Sequence, residues 1–184
     1  MQPPVQIHGY HGTSISAVEG IKASGFLPST RTWDWLGDGA YFFQDAPMRA
    51  WEWAKQQHPS EPAVLCASIR LDGCIDLLDI PWVMVMAGVY GNYRARRAAA
   101  GQPLPHQDSS TGNRQLDRRV FNYAANILEQ QGERVAAIRG VFQEGAPIFP
   151  NSGLYDRSHV QIAIRDRSLI EEIWRADEEG RRIA

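Results

Sequence analysis

Apolar residues occupy every second position at the start of the chain and then change to a helical spacing. The alternation predicts a first strand that ends near His11. The helical spacing predicts a helix that begins after Ser14 or Ser16, because both residue types cap helices, and Ser16 also fits a capping box with Glu19. Gly25 is the predicted end of this helix.

The same two periods predict the remaining elements. Further strands are expected at 40–43, 63–71, 74–78, 135–142 and 159–165, with Asp72-Gly73 as a turn between the second and third of these. Helices are expected at 47–58, at 79–97 and from 116 to a stop at Gly132. The polar segment 101–112 carries two prolines, which predicts a mobile loop.

The order of these elements does not repeat a strand-helix-strand unit. We therefore predict an α+β fold with a split, mostly antiparallel β-sheet core and flanking helices. The chain has 184 residues, of which 43% are hydrophobic, and this favours a single domain over 1–184.

Charge and cysteine content narrow the class of protein. The formal net charge is −2, so the overall charge does not indicate nucleic-acid binding. The two cysteines, Cys66 and Cys74, are too few for a disulfide scaffold and are expected as small buried side chains in neighbouring strands. The start of the chain lacks a basic segment followed by an apolar run, and no stretch reaches the roughly 18 apolar residues of a membrane span. We expect a soluble, cytoplasmic protein without a metal.

The first motif whose residue types suit ligand binding or catalysis is His11-Gly12-Thr13. His11 shares its strand face with the apolar residues, where a histidine is usually a core side chain. Gly12 changes this interpretation, because a residue without a Cβ lets a flat ligand approach the backbone closely.

The second motif is the Gly37-Asp38-Gly39 turn that leads into an aromatic strand. Tyr41 follows it at the start of the strand. This position suits stacking of the Tyr41 ring on a planar ligand, with the hydroxyl free to form hydrogen bonds.

The third motif is the segment 158–166, which has two different faces. One face is an apolar stripe of Val160, Ile162 and Ile164. His159, Gln161 and Arg165 lie on the other face, which we expect to border solvent or a polar cleft rather than the core.

In combination, His-Gly-Thr at 11–13 and Gly-x-Gly-x-Tyr-Phe at 37–42 resemble the PARP-like, diphtheria-toxin-type ADP-ribosyltransferases. That family has a His–Tyr–Glu triad on three strands and uses NAD as co-substrate without a metal. The resemblance places His11, Tyr41 and Gln161 at the triad positions. His159 is the rival for the third position.

The resemblance implies a role for each residue of the first two motifs. His11 would hydrogen-bond a ribose hydroxyl on the adenosine side of NAD, and the backbone of Gly12 would pair with the nicotinamide carboxamide. Tyr41 would contact the nicotinamide ring and its ribose. Trp53, or failing that Trp51, would stack on the ligand from the following helix.

Thr13 would assist through its hydroxyl, unless it only caps the helix.

Gln161 stands where the family has a glutamate, so it keeps a hydrogen bond but has neither the charge nor the basicity of a carboxylate. Asp156 and Glu144 are candidate sources of a replacement carboxylate. The resemblance then implies mono-ADP-ribosyl transfer rather than poly-ADP-ribose elongation. A catalytically silent NAD- or ADP-ribose-binding module and an NAD glycohydrolase are the alternatives.

In this family the loop before the third motif contacts the acceptor. Phe149, Tyr155 and Arg157 lie in that loop here, and they suit a nucleobase as well as a protein side chain. Six arginines near segment 101–112 place a nucleic-acid acceptor, RNA or DNA, slightly ahead of a protein: Arg94, Arg96, Arg97, Arg114, Arg118 and Arg119. The compact chain resembles bacterial toxins and phage-defence effectors of this type, for which an antitoxin protein is a further expected partner.

Overall fold

The structure is a computed structural model that describes residues 5–108 and 112–183. Its strands are β1 (Gln6–Ser14), β2 (Ala40–Gln44), β3 (Pro62–Arg70), β4 (Cys74–Asp76), β5 (Gln107–Asp108), β6 (Asn113–Arg114), β7 (Ala137–Phe142), β8 (His159–Ile164), β9 (Ile170–Ala176) and β10 (Arg182–Ile183). Its α-helices are α1 (Ile15–Ser24), α2 (Pro47–Gln57), α3 (Ile80–Ala99) and α4 (Gln115–Gln130), and a 3-10 turn spans Arg167–Leu169.

Eight of these strands form one large sheet in the order β10-β9-β3-β1-β2-β8-β7-β4. Every neighbouring pair in this sheet is antiparallel except β4 with β7. The described residues therefore form a mixed α+β structure with a mostly antiparallel sheet, as the sequence predicts.

The central strand β1 is longer than predicted. It pairs with β3 over nine residue pairs, from Gln6 with Arg70 to Ser14 with Pro62. The prediction of an end near His11 is wrong, because β3 continues to pair with the chain beyond that point. The first motif thus lies inside a strand.

The other edge of β1 is paired over a much shorter distance. Only Gly9 with Gln44 and Tyr10 with Phe43 pair with β2, which turns instead to β8 over four residue pairs. Beyond Tyr10 the two strands separate. The large sheet is therefore joined at its centre by a short ladder and opens next to the first motif.

Helix α1 begins after Ser14, one of the two predicted N-cap residues. Ser14 is its N-cap and Gly25 is its C-cap. The predicted capping box is wrong, because Ser16 Oγ donates to Glu61 Oε1 at 2.7 Å and does not cap the helix.

The two faces of the sheet are covered by different helices. On one face, α1 packs over a core that includes Ile7, Phe26 and Phe42. On the opposite face, α2 packs over Tyr10, Phe43 and Val64, while α3 and α4 pack over Leu36, Ile138 and Ala163. Burial of these apolar surfaces is the main stabilising contribution to the fold.

The second face of β8 is more apolar than predicted. Ala163 is fully buried under α4, and His159 is buried as well. The expectation that this face borders only solvent or a polar cleft is therefore wrong for these two residues. Gln161, between them, is partly exposed.

One expectation for the middle of the chain is also wrong. β4 follows the turn at Gly73 but pairs in parallel with β7 at the far edge of the sheet, so Cys74 is not in a strand next to that of Cys66. The segment 101–112 contains part of a short hairpin formed by β5 and β6. The prediction that 101–112 is mobile stays a prediction, and 109–111 lie outside the described residues.

The sequence analysis missed strands β9 and β10. β9 pairs with β3 and carries a register shift opposite Ser68 and Ile69. Glu171 and Glu172 lie side by side in β9, so the alternation of apolar and polar residues is interrupted. Within 5–108 and 112–183, no helix is long and apolar enough to span a lipid bilayer.

Candidate functional site

A cavity of about 560 Å³ lies at the opening between β1 and β2. His11, Tyr41 and Gln161, one residue from each of the three sequence motifs, all line it. Gly12, Thr13 and Trp53 line it as well. The structure thus brings together six residues that the sequence analysis selected from four separate elements.

Residues from both faces of the sheet contribute to this cavity. Phe26 and Phe42 belong to the core under α1, whereas Tyr41 and Trp53 pack with the helices on the opposite face. All four line the same space. Because β1 and β2 separate here, side chains from both faces of the sheet can line the same cavity.

His11 links the two separating strands. Its Nδ1–H donates to the backbone carbonyl of Tyr41 at 2.8 Å, and its ring packs edge-on against Phe26 at a centroid distance of 5.0 Å. Because Nδ1 holds the proton, Nε2 of the neutral ring is a hydrogen-bond acceptor. Burial lowers the pKa of His11, which favours the neutral form.

The missing side chain of Gly12 faces α2 and not an incoming ligand. A Cβ there would lie 2.6 Å from the carbonyl oxygen of Ala50 and 3.0 Å from Cε3 of Trp53. The expectation that Gly12 lets a ligand approach through this space is therefore wrong. Glycine is needed because the helix backbone packs directly on the strand.

The peptide group of Gly12 nevertheless points to the opening. The carbonyl of His8 accepts from the N–H of Asp45 at 2.9 Å, so His8 directs its peptide group toward β2. Peptide groups alternate in direction along a strand, and Gly12 therefore directs its N–H and carbonyl the same way. Since the ladder ends at Tyr10, these groups lie beyond it at the cavity.

The hydroxyl of Tyr41 is not free, contrary to the sequence-based expectation. It donates to the carbonyl of Gly37 at 2.8 Å and accepts from the N–H of Leu36 at 2.9 Å. Burial raises the pKa of Tyr41, so the hydroxyl keeps its proton. The ring is part of the cavity wall, while the hydroxyl fixes the preceding turn.

Helix α4 holds the same turn from the other side. Asn122 Oδ1 accepts from the N–H of Asp38 at 2.9 Å, and the guanidinium of Arg118 lies 2.6 Å from the carboxylate of Asp38. Gly37 has a φ of 86°, and a Cβ there would lie 2.7 Å from Asn122 Oδ1. The second motif is thus a turn that requires glycine and is anchored by hydrogen bonds.

The structure distinguishes the two candidates for the third motif position. Gln161 lines the cavity, and its Oε1 accepts from the indole N–H of Trp35 at 2.6 Å. His159 is only 7% exposed, lies between Phe43 and Phe142, and does not line the cavity. The geometry therefore groups Gln161, and not His159, with His11 and Tyr41.

The two tryptophans of α2 lie in different environments. Both pack against the core around Tyr10, but only Trp53 also lines the cavity. Thr13 is buried in the cavity wall and does not cap α1, because Ser14 is the N-cap.

The sequence analysis missed the segment after α1, which forms one wall of the cavity. Ser29, Arg31 and Asp34 all line this space. Asp34 is buried, and its carboxylate accepts from Ser29 Oγ at 2.7 Å and from the backbone N–H of Arg31. Burial raises the pKa of Asp34, and these donors oppose the shift. The segment has no strand or helix period, so only its turn-forming Ser and Asp residues indicated a fixed conformation.

The predicted acceptor-binding residues lie outside this cavity. Phe149 is 59% exposed on the loop before β8, and Tyr155 is partly buried in the same loop. Arg157 lines a second, neighbouring hollow of about 440 Å³ whose wall also includes Trp53. This shared wall places the second hollow next to the first.

Neither candidate for a replacement carboxylate lines the main cavity. Glu144 forms an ion pair with Arg49 at 2.7 Å, and Asp156 accepts from the N–H of Ala146 at 3.0 Å. Among the described residues, no group of three or more His, Cys, Asp or Glu side chains is placed to hold a metal ion.

The arginines near 101–112 do not form one free basic patch. Arg118 pairs with Asp38, Arg97 donates to the carbonyl of Pro103, and Arg114 packs over Phe142. Arg94 and Arg119 are exposed. Because Arg118 and Arg114 pair with the carboxylates of Asp38 and Asp117, the charge available to a nucleic acid on this side is smaller than the sequence suggests.

Comparison with models of protein families, with curated proteins and with solved structures gave no match. The function is therefore inferred from the residues of the cavity and their geometry.

Proposed function

We propose that this chain is an NAD-dependent mono-ADP-ribosyltransferase of the PARP-like type, with the corresponding fold. The observation that carries the proposal is that His11, Tyr41 and Gln161 line one cavity although they come from three strands. The cavity, at about 560 Å³, has a size typical of small-molecule sites.

The proposed binding mode follows from the groups that face the cavity. The peptide group of Gly12 would pair with the carboxamide of nicotinamide, while the rings of Tyr41 and Trp53 would contact the pyridine ring. His11 Nε2 would accept a hydrogen bond from a ribose hydroxyl, which requires the neutral imidazole that burial favours. Thr13 adds a hydroxyl to the same wall.

In the proposed reaction the bond between nicotinamide and ribose breaks, and its electron pair moves to the pyridine nitrogen. Positive charge builds on the sugar, as in glycoside hydrolysis. A lone pair of the acceptor then forms the new bond to the anomeric carbon, and the proton of the acceptor passes to water. Gln161 would hold a ribose hydroxyl without acting as a base.

The lack of a free carboxylate in the described part of the cavity wall favours single transfer. Asp34 is the only Asp or Glu among the lining residues that the structure describes, and its carboxylate accepts from Ser29 and from the Arg31 amide. The same observation favours a second candidate, a silent NAD- or ADP-ribose-binding module. An NAD glycohydrolase would use the same cavity with water as acceptor.

We propose a nucleic acid, RNA or DNA, as acceptor, slightly ahead of a protein. The exposed ring of Phe149 can stack on a base, and the exposed guanidinium of Arg157 can contact phosphate. Such an activity suits a cytoplasmic toxin or phage-defence effector that an antitoxin protein controls.

The test is incubation with NAD labelled in its adenylate part, together with separate pools of RNA, DNA and protein. We expect label in one pool, RNA or DNA ahead of protein, and release of nicotinamide. Release without label in any pool would indicate a glycohydrolase, and binding of ADP-ribose without release would indicate the silent module. If the protein is toxic, His11→Ala or Tyr41→Ala should restore growth, and unchanged toxicity would contradict the site.

A further inference from the structure

The cavity wall contains a basic side chain, Arg31, that has no role in the proposed reaction. Arg31 is the only Lys or Arg among the described residues that line the cavity. We propose that its guanidinium binds the pyrophosphate of the dinucleotide. This inference rests on the proposed function, because it requires a ligand with two bridging phosphates.

The guanidinium of Arg31 is available for such a ligand. Arg31 is exposed, and no carboxylate of the described residues lies within ion-pair distance of its guanidinium. It packs over the ring of Trp33 at 5.4 Å from the centroid, which limits its directions without neutralising it. By contrast, Arg49 and Arg118, which lie near the site, are both paired with carboxylates.

The backbone of Arg31 is held firmly although the residue lies in a loop. Its N–H donates to the buried carboxylate of Asp34, which also binds the hydroxyl of Ser29. The N–H of Ser29 donates in turn to the carbonyl of Gly39 at 2.8 Å, just before β2. The loop is therefore tied to the strand that carries Tyr41, so Arg31 has a defined position relative to the ring site.

The chemistry of a dinucleotide requires a group of this kind. Its rings and riboses can be held by aromatic side chains, peptide groups and neutral hydrogen-bonding groups, but its pyrophosphate carries two negative charges that need a cation or several N–H donors. A guanidinium offers a planar pair of N–H groups that matches phosphate oxygens. Apart from the imidazoles of His11 and His58, the other polar side chains in the described part of the wall are neutral or acidic.

The experiment compares two ligands by calorimetry, ADP-ribose with a pyrophosphate and nicotinamide riboside with no phosphate. Four proteins are used: wild type, Arg31→Gln, Arg31→Lys and the control Arg94→Gln. Arg94 is matched to Arg31 because it is exposed and lies over an aromatic ring, Tyr90, but does not line the cavity. Arg31 is exposed, so we expect all variants to fold, which thermal unfolding checks.

We expect Arg31→Gln to weaken ADP-ribose binding by about tenfold to hundredfold, the range for a hydrogen bond to a charged group. Binding of nicotinamide riboside should change by less than about twofold. Arg31→Lys should fall between wild type and Arg31→Gln, because it keeps the charge and loses the planar fork. Arg94→Gln should behave as wild type.

Three results would overturn the inference in distinguishable ways. If wild type and Arg31→Gln bind ADP-ribose equally well, Arg31 does not bind the pyrophosphate, while the proposed function stands. If wild type binds neither ligand, the proposed function fails, and the inference fails with it. An equal loss for both ligands in Arg31→Gln would show that Arg31 shapes the cavity without contacting phosphate.

Discussion

Replacement of Gly12 by alanine should destabilise the protein, because the added methyl group meets the backbone of α2. The built Cβ would lie 2.6 Å from the carbonyl oxygen of Ala50 and 3.1 Å from the amide nitrogen of Ala54. Neither atom can rotate away, so the helix must shift away from β1. Overpacking of this kind costs about 1–3 kcal/mol of unfolding free energy. Trp53, whose Cε3 would lie 3.0 Å from the same methyl, would move with the helix and widen the cavity.

The measurement is urea unfolding followed by tryptophan fluorescence, with Gly20→Ala as the matched control. Gly20 lies on the exposed side of α1, and a Cβ there would have no neighbour within 4 Å. The control should therefore gain about 0.5–1 kcal/mol from the higher helix propensity of alanine. Gly12→Ala should also lose ADP-ribose affinity. If Gly12→Ala is as stable as Gly20→Ala, the packing of α2 on β1 is not as described.

Three further predictions concern the turn, the imidazole and the amide of the cavity. Asn122→Ala should lower the unfolding free energy by about 1–2 kcal/mol, because it removes the acceptor of the Asp38 N–H. The rate of nicotinamide release should decrease as well. An unchanged unfolding free energy and an unchanged rate would exclude this anchoring role. Burial lowers the pKa of His11, so below about pH 6.5 the unfolded chain binds more protons at this residue than the folded chain does. The unfolding free energy should therefore decrease as the pH is lowered through this range. An equal decrease in His11→Asn would contradict this account. Gln161→Ala should lower kcat for nicotinamide release by about tenfold or more. Trp35→Phe keeps the Gln161 amide and removes only its indole donor, so kcat should decrease less in this variant. A larger decrease in Trp35→Phe than in Gln161→Ala would assign the function to the indole.

Most strands and helices could be predicted from local sequence signals, because in each of them the local preference of the residues agrees with the final fold. β2 begins at Ala40 after a glycine turn, and α2 begins at Pro47, as expected from the turn chemistry and from proline at the first helical position. β9 was missed because two adjacent glutamates interrupt its alternation of apolar and polar residues.

The cavity residues were predictable to a different extent. The resemblance carried by the sequence motifs selected His11, Tyr41 and Gln161, but it gave no information on what each polar atom contacts. The hydroxyl of Tyr41 is used by the preceding turn, and the space beside Gly12 is filled by α2, since tertiary contacts decide both. Arg31 and Asp34 were missed because an irregular segment has no period to identify its inward side.

The central claim is that the cavity between β1 and β2 binds NAD and promotes cleavage of its nicotinamide–ribose bond. The most direct test is the rate of nicotinamide release from NAD by wild type, His11→Ala and the control Arg94→Gln. The account predicts release by wild type and the control, and a loss of about tenfold or more in His11→Ala, because the imidazole acts at the ligand. No release by wild type, or equal release by His11→Ala, would contradict it.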